Sequence, residues 1–335
     1  MSSPVRFGII ACSSVARRRF LPAFAASTGA RLVHVGSRDP AKAKQCAQEF
    51  SCAKSGDYDA VLADPEVEAV YISTPPSLHE AWVLKAAAHG KHVLCEKPAF
   101  SNFPAAVNVV ERCRAAGVCL AEGYTFRWHP QHEVVRSLIA AGRIGTPRFF
   151  SAEFTYPRPA DGDIRLNAGL DGGVFRDSAG YPVSAALLQM PGQPVSVSCQ
   201  MGLDPATGVD DSFRLTINFA DGASAQMLVA FGAHYRSRYA ITGTKGRIES
   251  ERAFSVGPQM KTVIALESDA GAERIEVEPA DQFRLMLDDF AAQVRSEPAR
   301  RKNFPADILR QHAIMDAALC SHREARVIAL TDYQL

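Results

Sequence analysis

Apolar residues in the first 122 positions arrive in short unbroken runs, set apart by stretches in which they recur every three or four residues. The runs VRFGII (5–10), RLVHVGS (31–37), VEAVYIST (67–74), KHVLCE (91–96) and VCLAEG (118–123) predict strands. Their lack of alternation predicts strands covered on both faces. Between them, SVARRRFLPAFAAS (14–27), PAKAKQCAQEF (40–50), SLHEAWVLKAAAHG (77–90) and FPAAVNVVERCRAAG (103–117) predict helices, with Pro40 opening the second and Gly90 and Gly117 stopping the last two. Strand and helix in alternation imply a parallel sheet with helices on both sides, so this half is an α/β, Rossmann-like unit.

From about Tyr124 the period changes. One helix, PQHEVVRSLIAAGRIG, leads into alternating segments: RFFSAEFTY (148–156), VSVSCQMG (195–202), SFRLTINFADGASAQMLVAF (212–231) and RYAITGTKGRIES (238–250). ADG and GTKG read as hairpin turns, which predicts an open, mainly antiparallel sheet in an α+β domain. Two helices near 281–296 and 305–323 close the chain. The division predicted is a dinucleotide-binding domain over 1–122 and a domain over 123–335 for substrate binding and oligomerisation.

A length of 335 residues suits two domains, and 37 Lys and Arg nearly cancel 36 Asp and Glu. No overall field recruits nucleic acid or an anionic membrane, so a small molecule is the expected partner. No apolar run nears the roughly 18 residues that span a bilayer, and a cytoplasmic location is expected. Eight cysteines without a C-x-x-C pair suit reduced, buried thiols. His129 and His132 in HPQH lack a third ligand at metal spacing, and no metal site is expected.

The first strand ends in FGIIACSSVARRR. A dinucleotide site wants G-x-G-x-x-G or G-x-G-x-x-A at such a turn, and here Ala11, Ser13 and Ala16 hold those positions. With Cys12, Ser14 and Val15 they form the candidate phosphate loop, whose serines and helix N-terminus can donate to phosphate oxygens. The second strand ends in GSRD. Ser37 with Arg38 suits a 2′-phosphate, whereas Asp39 lies one position too late to be the obvious ribose ligand, so NADP is favoured over NAD. In KHVLCEKPAF, Lys97 stands at the end of a buried strand, where a charge is costly unless paired or used. Asp177 and Tyr181 lie four residues apart in VFRDSAGYPVSAALLQ, a spacing that puts both on one helix face.

GIIACSSVA, YISTPPSLHEAWVLKAAAHGKHVLCEKP and GGVFRDSAGYP together resemble the glucose–fructose oxidoreductase, inositol dehydrogenase and rhizopine-catabolism oxidoreductases over nearly the whole chain. RRRFLPA, HPQH and GDIR are similar to the nucleotide-sugar 3-ketoreductases of deoxysugar biosynthesis. Ala11 and Ser13 stand where most of the wider family has glycine. Tyr181 stands where the wider family often has histidine, and the 3-ketoreductases and the dihydrodiol and xylose dehydrogenases have tyrosine.

The resemblance implies that Thr74, Pro75, His79, Glu96 and Lys97 line the cofactor, with Glu96 and Lys97 reaching nicotinamide and substrate and Pro98 often following a cis bond. It implies reduction of a keto group, at C3 of a nucleotide-linked deoxysugar, with negative charge developing on the carbonyl oxygen. Lys97 and Tyr181 are the rival proton donors, and the 3-ketoreductase resemblance favours Lys97, with Tyr181 orienting the sugar or relaying the proton. Asp177 would bind a sugar hydroxyl, and Arg165 and Tyr235 would contact substrate. The ARRR run, Arg17 to Arg19, reads on its own as a solvated helix face, from which Arg18 or Arg19 would contact a nucleotide diphosphate. A dihydrodiol or D-xylose NADP dehydrogenase is the enzymatic alternative. A non-catalytic NADP-binding sensor on the same fold is the other. Self-association through the open sheet, as a homodimer or homotetramer, is expected.

Overall fold

The first strand, β1 (Val5–Ile10), is buried except at Arg6 and lies at the middle of a six-stranded parallel sheet. The structure is a computed structural model that describes residues 3–170 and 172–333. Flanking β1 are β2 (Ala30–Gly36) and β4 (Ala69–Ile72), followed outward by β3 (Lys54–Gly56) on one side and β5 (His92–Cys95) and β6 (Leu120–Glu122) on the other. The order β3-β2-β1-β4-β5-β6 reverses direction between β1 and β4. In open α/β sheets, ligands bind beyond the carboxyl ends of the strands at such a reversal.

The segment after β1 is less regular than the predicted helix over 14–27. It opens with one turn of π-helix (Ala16–Phe20), continues as α1 (Leu21–Ala23) and ends as 3₁₀ turn (Phe24–Ala26). Pro22 has no N–H to give to the turn before it, so the ladder widens there and Leu21 N reaches back to Ala16 O. The remaining crossovers are α2 (Pro40–Glu49), α3 (Tyr58–Ala63), α4 (His79–Ala88) and α5 (Phe103–Ala115). β3 and α3, and the shortening of the fifth predicted strand to three residues, are not visible in the sequence pattern.

The chain divides into two units, Met1–Thr125 with Asp281–His312, and Phe126–Ala280 with Ala313–Leu335. The division near residue 122 does not anticipate the return of 281–312 to the first unit. That return is made by α9 (Gln282–Arg295), which lays Phe283, Met286, Leu287, Phe290 and Val294 inward against β1, β2 and the turn after β1. Phe290 sits 6.1 Å from the ring of Phe7.

The second unit opens with α6 (Pro130–Ala140) and β7 (Pro147–Tyr156), then α7 (Val174–Ser178) and α8 (Gly180–Gln189). Its sheet continues with β8 (Pro194–Leu203), β9 (Asp210–Phe219), β10 (Ser224–Phe231), β11 (Arg236–Gly243), β12 (Gly246–Ser250), β13 (Thr262–Ser268) and β14 (Gly271–Val277). After α10 (Phe304–Glu324), β15 (Ile328–Ala329) joins the edge. The nine strands run β14-β13-β12-β11-β7-β10-β9-β8-β15, antiparallel except for β7 with β10. ADG and GTKG form the β9–β10 and β11–β12 turns, whereas β13 and β14 were not foreseen. Alternate residues of β7, β9 and β10 (Phe154, Leu215 and Met227 among them) face the buried side, where α7 and α8 pack. The opposite face carries Arg238, which donates to Glu153 at 2.7 Å and to Glu249 at 2.8 Å. Among the described residues, no helix is long and apolar enough to cross a membrane.

Candidate functional site

In the first unit the loops after β1, β4 and β5 leave the same end of the sheet. Ala11 adopts φ 82°, the left-handed region that glycine favours, so an alanine fills the fingerprint's glycine position at a cost in backbone strain. Its carbonyl accepts from Ser73 Oγ at 2.9 Å, tying the first loop to the next. Ser13 Oγ accepts from Ala16 N at 3.1 Å and so caps the turn, while Ser14 is exposed beside it. Cys12 is buried with its Sγ 3.6 Å from Gly36 O. Arg18 is exposed and folds its Nε over Ser14 O at 3.4 Å.

After β2, Ser37 is buried and Arg38 exposed. The Asp39 carboxylate accepts from Ala41 N at 2.9 Å and Lys42 N at 3.3 Å, capping α2. Its charge therefore serves the helix N-terminus.

The E-K-P turn is braced from two sides. Lys97–Pro98 is a cis peptide bond. His79 is buried, with Nδ1 2.9 Å from Pro98 O and Nε2 2.8 Å from Thr74 O. It thereby links the T-P-P loop to the E-K-P turn, and its ring nitrogens face the backbone. Glu122, on β6, accepts from Ala99 N at 2.7 Å and from Gln311 Nε2 at 3.0 Å. Glu96 is buried; burial pushes its carboxyl up, against the Tyr71 hydroxyl, which donates to Oε1 at 2.5 Å, and the Lys97 charge.

In the second unit, Gly172 and Gly173 turn the chain into α7. Gly173 has φ 115°, and a Cβ there would fall 2.0 Å from Asp210 Oδ1, whose carboxylate accepts from Phe175 N at 2.6 Å. Only glycine leaves room for that cap. The helix predicted over VFRDSAGYPVSAALLQ is divided at Ala179 (φ −60°, ψ −36°) because Pro182 cannot donate to Ser178. The path stays helical, so Asp177 and Tyr181 remain one turn apart. Asp177 accepts from the Tyr156 hydroxyl at 2.8 Å and lies 3.8 Å from Arg165, which holds Asp163 through two bonds of 2.9 and 2.8 Å. Tyr181 packs among Phe126, Phe154 and Phe254, with centroids 5.9, 5.3 and 5.9 Å away. Tyr235 lies apart from these contacts, beneath the Arg252 guanidinium at 5.1 Å.

HPQH is structural in its contacts. His129 caps α6, and His132 meets the Tyr239 hydroxyl at 2.9 Å and Ala253 O at 3.1 Å. Burial pushes them down to about 4 and about 3. Among the described residues, no group of three His, Cys, Asp or Glu is placed to hold a metal ion.

Residues 5–124 match the oxidoreductase family with the NAD-binding Rossmann fold, and residues 132–249 match the GFO/IDH/MocA C-terminal domain. A dTDP-3,4-didehydro-2,6-dideoxy-alpha-D-glucose 3-reductase of Saccharopolyspora spinosa is 34% identical over 322 residues, 95% of this chain and 97% of its own. The chain belongs to the GFO/IDH/MocA oxidoreductase family. A crystal structure of a 3-ketoreductase from Actinomadura kijaniata, in complex with NADP and TDP-benzene, superimposes with a TM-score of 0.88 at 31% identity, covering 95% of this chain and 98% of that one. D-xylose 1-dehydrogenase (NADP(+)) 2 of Haloferax volcanii is 33% identical over 293 residues, 87% of this chain and 89% of its own.

The first unit fits the dinucleotide that the GFO/IDH/MocA family description names. The loop from Ser13 to Val15 is open to solvent, and Thr74 Oγ1 is a buried hydroxyl with no hydrogen-bond partner among the described residues. An orphaned buried hydroxyl at the carboxyl end of a strand is the kind of group a ligand satisfies. Tyr71, Glu122 and Tyr156 were hidden in the sequence, since each sits inside a strand run and reads there as a core position.

Proposed function

We propose that this oxidoreductase uses NADP(H) to reduce the C3 keto group of a nucleotide-linked deoxysugar. The observation that carries this reading is the full-length likeness to 3-ketoreductases, over 95% of this chain. Bound NADPH supplies the hydride. Ser13, Ser14 and the amides of the Cys12–Val15 loop hold the pyrophosphate, and Ser37 with Arg38 hold the 2′-phosphate. Lys97 donates the proton as charge builds on the carbonyl oxygen, and Tyr181 orients the sugar. Asp177 accepts from a sugar hydroxyl, and its hydrogen bond from Tyr156 and the Arg165 charge 3.8 Å away fix its orientation. Arg165 and Tyr235 contact the substrate, and Arg18 the diphosphate.

The test follows NADPH consumption with dTDP-3,4-didehydro-2,6-dideoxy-alpha-D-glucose, and NADP⁺ reduction with free D-xylose or an aromatic dihydrodiol. Turnover confined to the nucleotide sugar supports the reading. Efficient oxidation of xylose moves the assignment to the aldose dehydrogenase, and binding of NADPH without turnover of any of the three to a sensor. Assembly as a homodimer or homotetramer is supported by the open sheet face, where Phe149 and Leu228 are exposed beside Glu153 and Arg238. Light scattering of the purified chain decides it.

A further inference from the structure

Tyr71 is fully buried in β4, in a stretch that reads as plain hydrophobic core. Its ring stacks on Phe20 with centroids 3.6 Å apart and planes 10° from parallel. That stacking fixes where the hydroxyl points, and the hydroxyl donates to Glu96 Oε1 at 2.5 Å. The other carboxylate oxygen, Oε2, accepts from Lys97 N at 3.2 Å. A buried carboxylate has lost its water, so each donor that replaces water decides whether it keeps its charge.

We infer that Tyr71 is a positioning residue for the proposed reduction: its hydroxyl holds Glu96 as a fixed anion beside Lys97, and that anion keeps the lysine charged as the ammonium that donates. The inference rests on the reading of Lys97 as the proton donor. Among the described residues, four titratable groups bear on Glu96. Tyr71 from β4 and Lys97 from the turn favour its charge, whereas Glu122 from β6 opposes it. Cys95, the preceding residue on β5, is a thiol that burial keeps protonated and neutral. Glu122 has partners of its own in Ala99 N and Gln311, with His312 3.5 Å away, and these partners do not include Tyr71. Among these groups Tyr71 is the neutral donor to the Glu96 side chain, and removing one hydroxyl while keeping the ring isolates its effect.

The test is Tyr71→Phe, which retains the stacking on Phe20. Without the hydroxyl Glu96 takes up a proton, Lys97 loses the neighbouring negative charge, and the alkaline limb of kcat/KM for ketone reduction moves down by about one pH unit. NADPH affinity holds. Glu96→Gln moves the limb in the same direction, and the double variant moves it no further, because both changes remove one charge. Infrared difference spectra report Glu96 directly: a protonated carboxyl C=O band is expected in Tyr71→Phe at neutral pH, absent from the wild type and from the double variant.

An unmoved limb and no carboxyl band in Tyr71→Phe, with Lys97→Met abolishing the limb, overturns the inference and leaves the lysine as donor. If Lys97→Met keeps both rate and limb, the reading of the donor falls instead. The carboxyl band then decides Tyr71 alone, its presence supporting the hold on Glu96 and its absence overturning it.

Discussion

Asp177 accepts a hydrogen bond from the Tyr156 hydroxyl at 2.8 Å, joining the last residue of a strand to the first turn of a helix. Burial and the Asp177 charge push the Tyr156 phenol up, so it stays a donor throughout the working pH range. Tyr156→Phe removes a bond to a charged acceptor, worth about 1.5–3 kcal/mol when buried. A loss of roughly tenfold or more in kcat/KM for the sugar is expected, with NADPH affinity unchanged. Steady-state kinetics beside a fluorescence titration of NADPH check it, and equal losses in both would point to a misfolded second unit.

Lys97→Met should lower turnover by about 10²–10⁴, the range for losing a general acid, while NADPH still binds. Tyr181→Phe should cost less if the tyrosine orients the sugar, since its ring keeps its place among Phe126, Phe154 and Phe254. Single-turnover rates with saturating NADPH separate the two. A near-normal rate in Lys97→Met transfers the donor role to Tyr181.

Arg38→Ala tests the cofactor choice. With Asp39 engaged at the cap of α2, Arg38 is the exposed charge at the end of β2. A charge-assisted bond to phosphate is worth about 1.5–3 kcal/mol, so the Kd for NADPH should rise about 10–100-fold. The Kd for NADH should barely move. Parallel losses for the two cofactors refute the assignment of the 2′-phosphate to Arg38.

Acid stability has its own determinant, away from the site. Burial pushes the Asp64 carboxyl up, but the Glu66 amide, Lys54 and His34 outweigh it and hold the group at about 2, against an ordinary 3.8. A depressed carboxyl stabilises the fold above its unfolded value and loses that contribution as pH falls from about 4 through about 2. Asp64→Asn should therefore cost about 1–2 kcal/mol at pH 6, and the difference should shrink as the pH falls toward about 2 and vanish below it. Urea unfolding across that range measures it; a gap that does not narrow on acidification assigns the loss to packing.

Much of the first unit was legible because β1, β4 and β5 are covered on both faces and leave continuous apolar runs that only a parallel sheet explains. β3 and α3 were not, being too short to show a period. The amphipathic face of α9 announced that it packs, but a hydrophobic stripe does not name its partner, so its return to β1 and β2 was hidden. In the site, Lys97 and Tyr181 stood out through their flanking residues. Tyr71, Glu122 and Tyr156 did not, because a polar atom at the tip of a strand side chain leaves the alternation of the strand unchanged.

The return of Asp281–His312 to the first unit also sets a timetable for synthesis. Five large apolar side chains of α9 (Phe283, Met286, Leu287, Phe290 and Val294) cover that unit. At roughly 1.5–3 kcal/mol each, their burial is comparable to the whole margin of a typical domain, about 5–15 kcal/mol. A ribosome adding about 5–20 residues per second needs roughly 10–30 s to travel from Thr125 to that segment. Throughout the interval the nascent sheet bares the ring of Phe7 and its neighbours, and the second unit's core strands are completed first. The amino-terminal half thus waits for residues made after most of the second unit, with only Ala313–Leu335 still to follow, and a chain cut after Thr125 yields a chaperone client instead of a portable nucleotide-binding module.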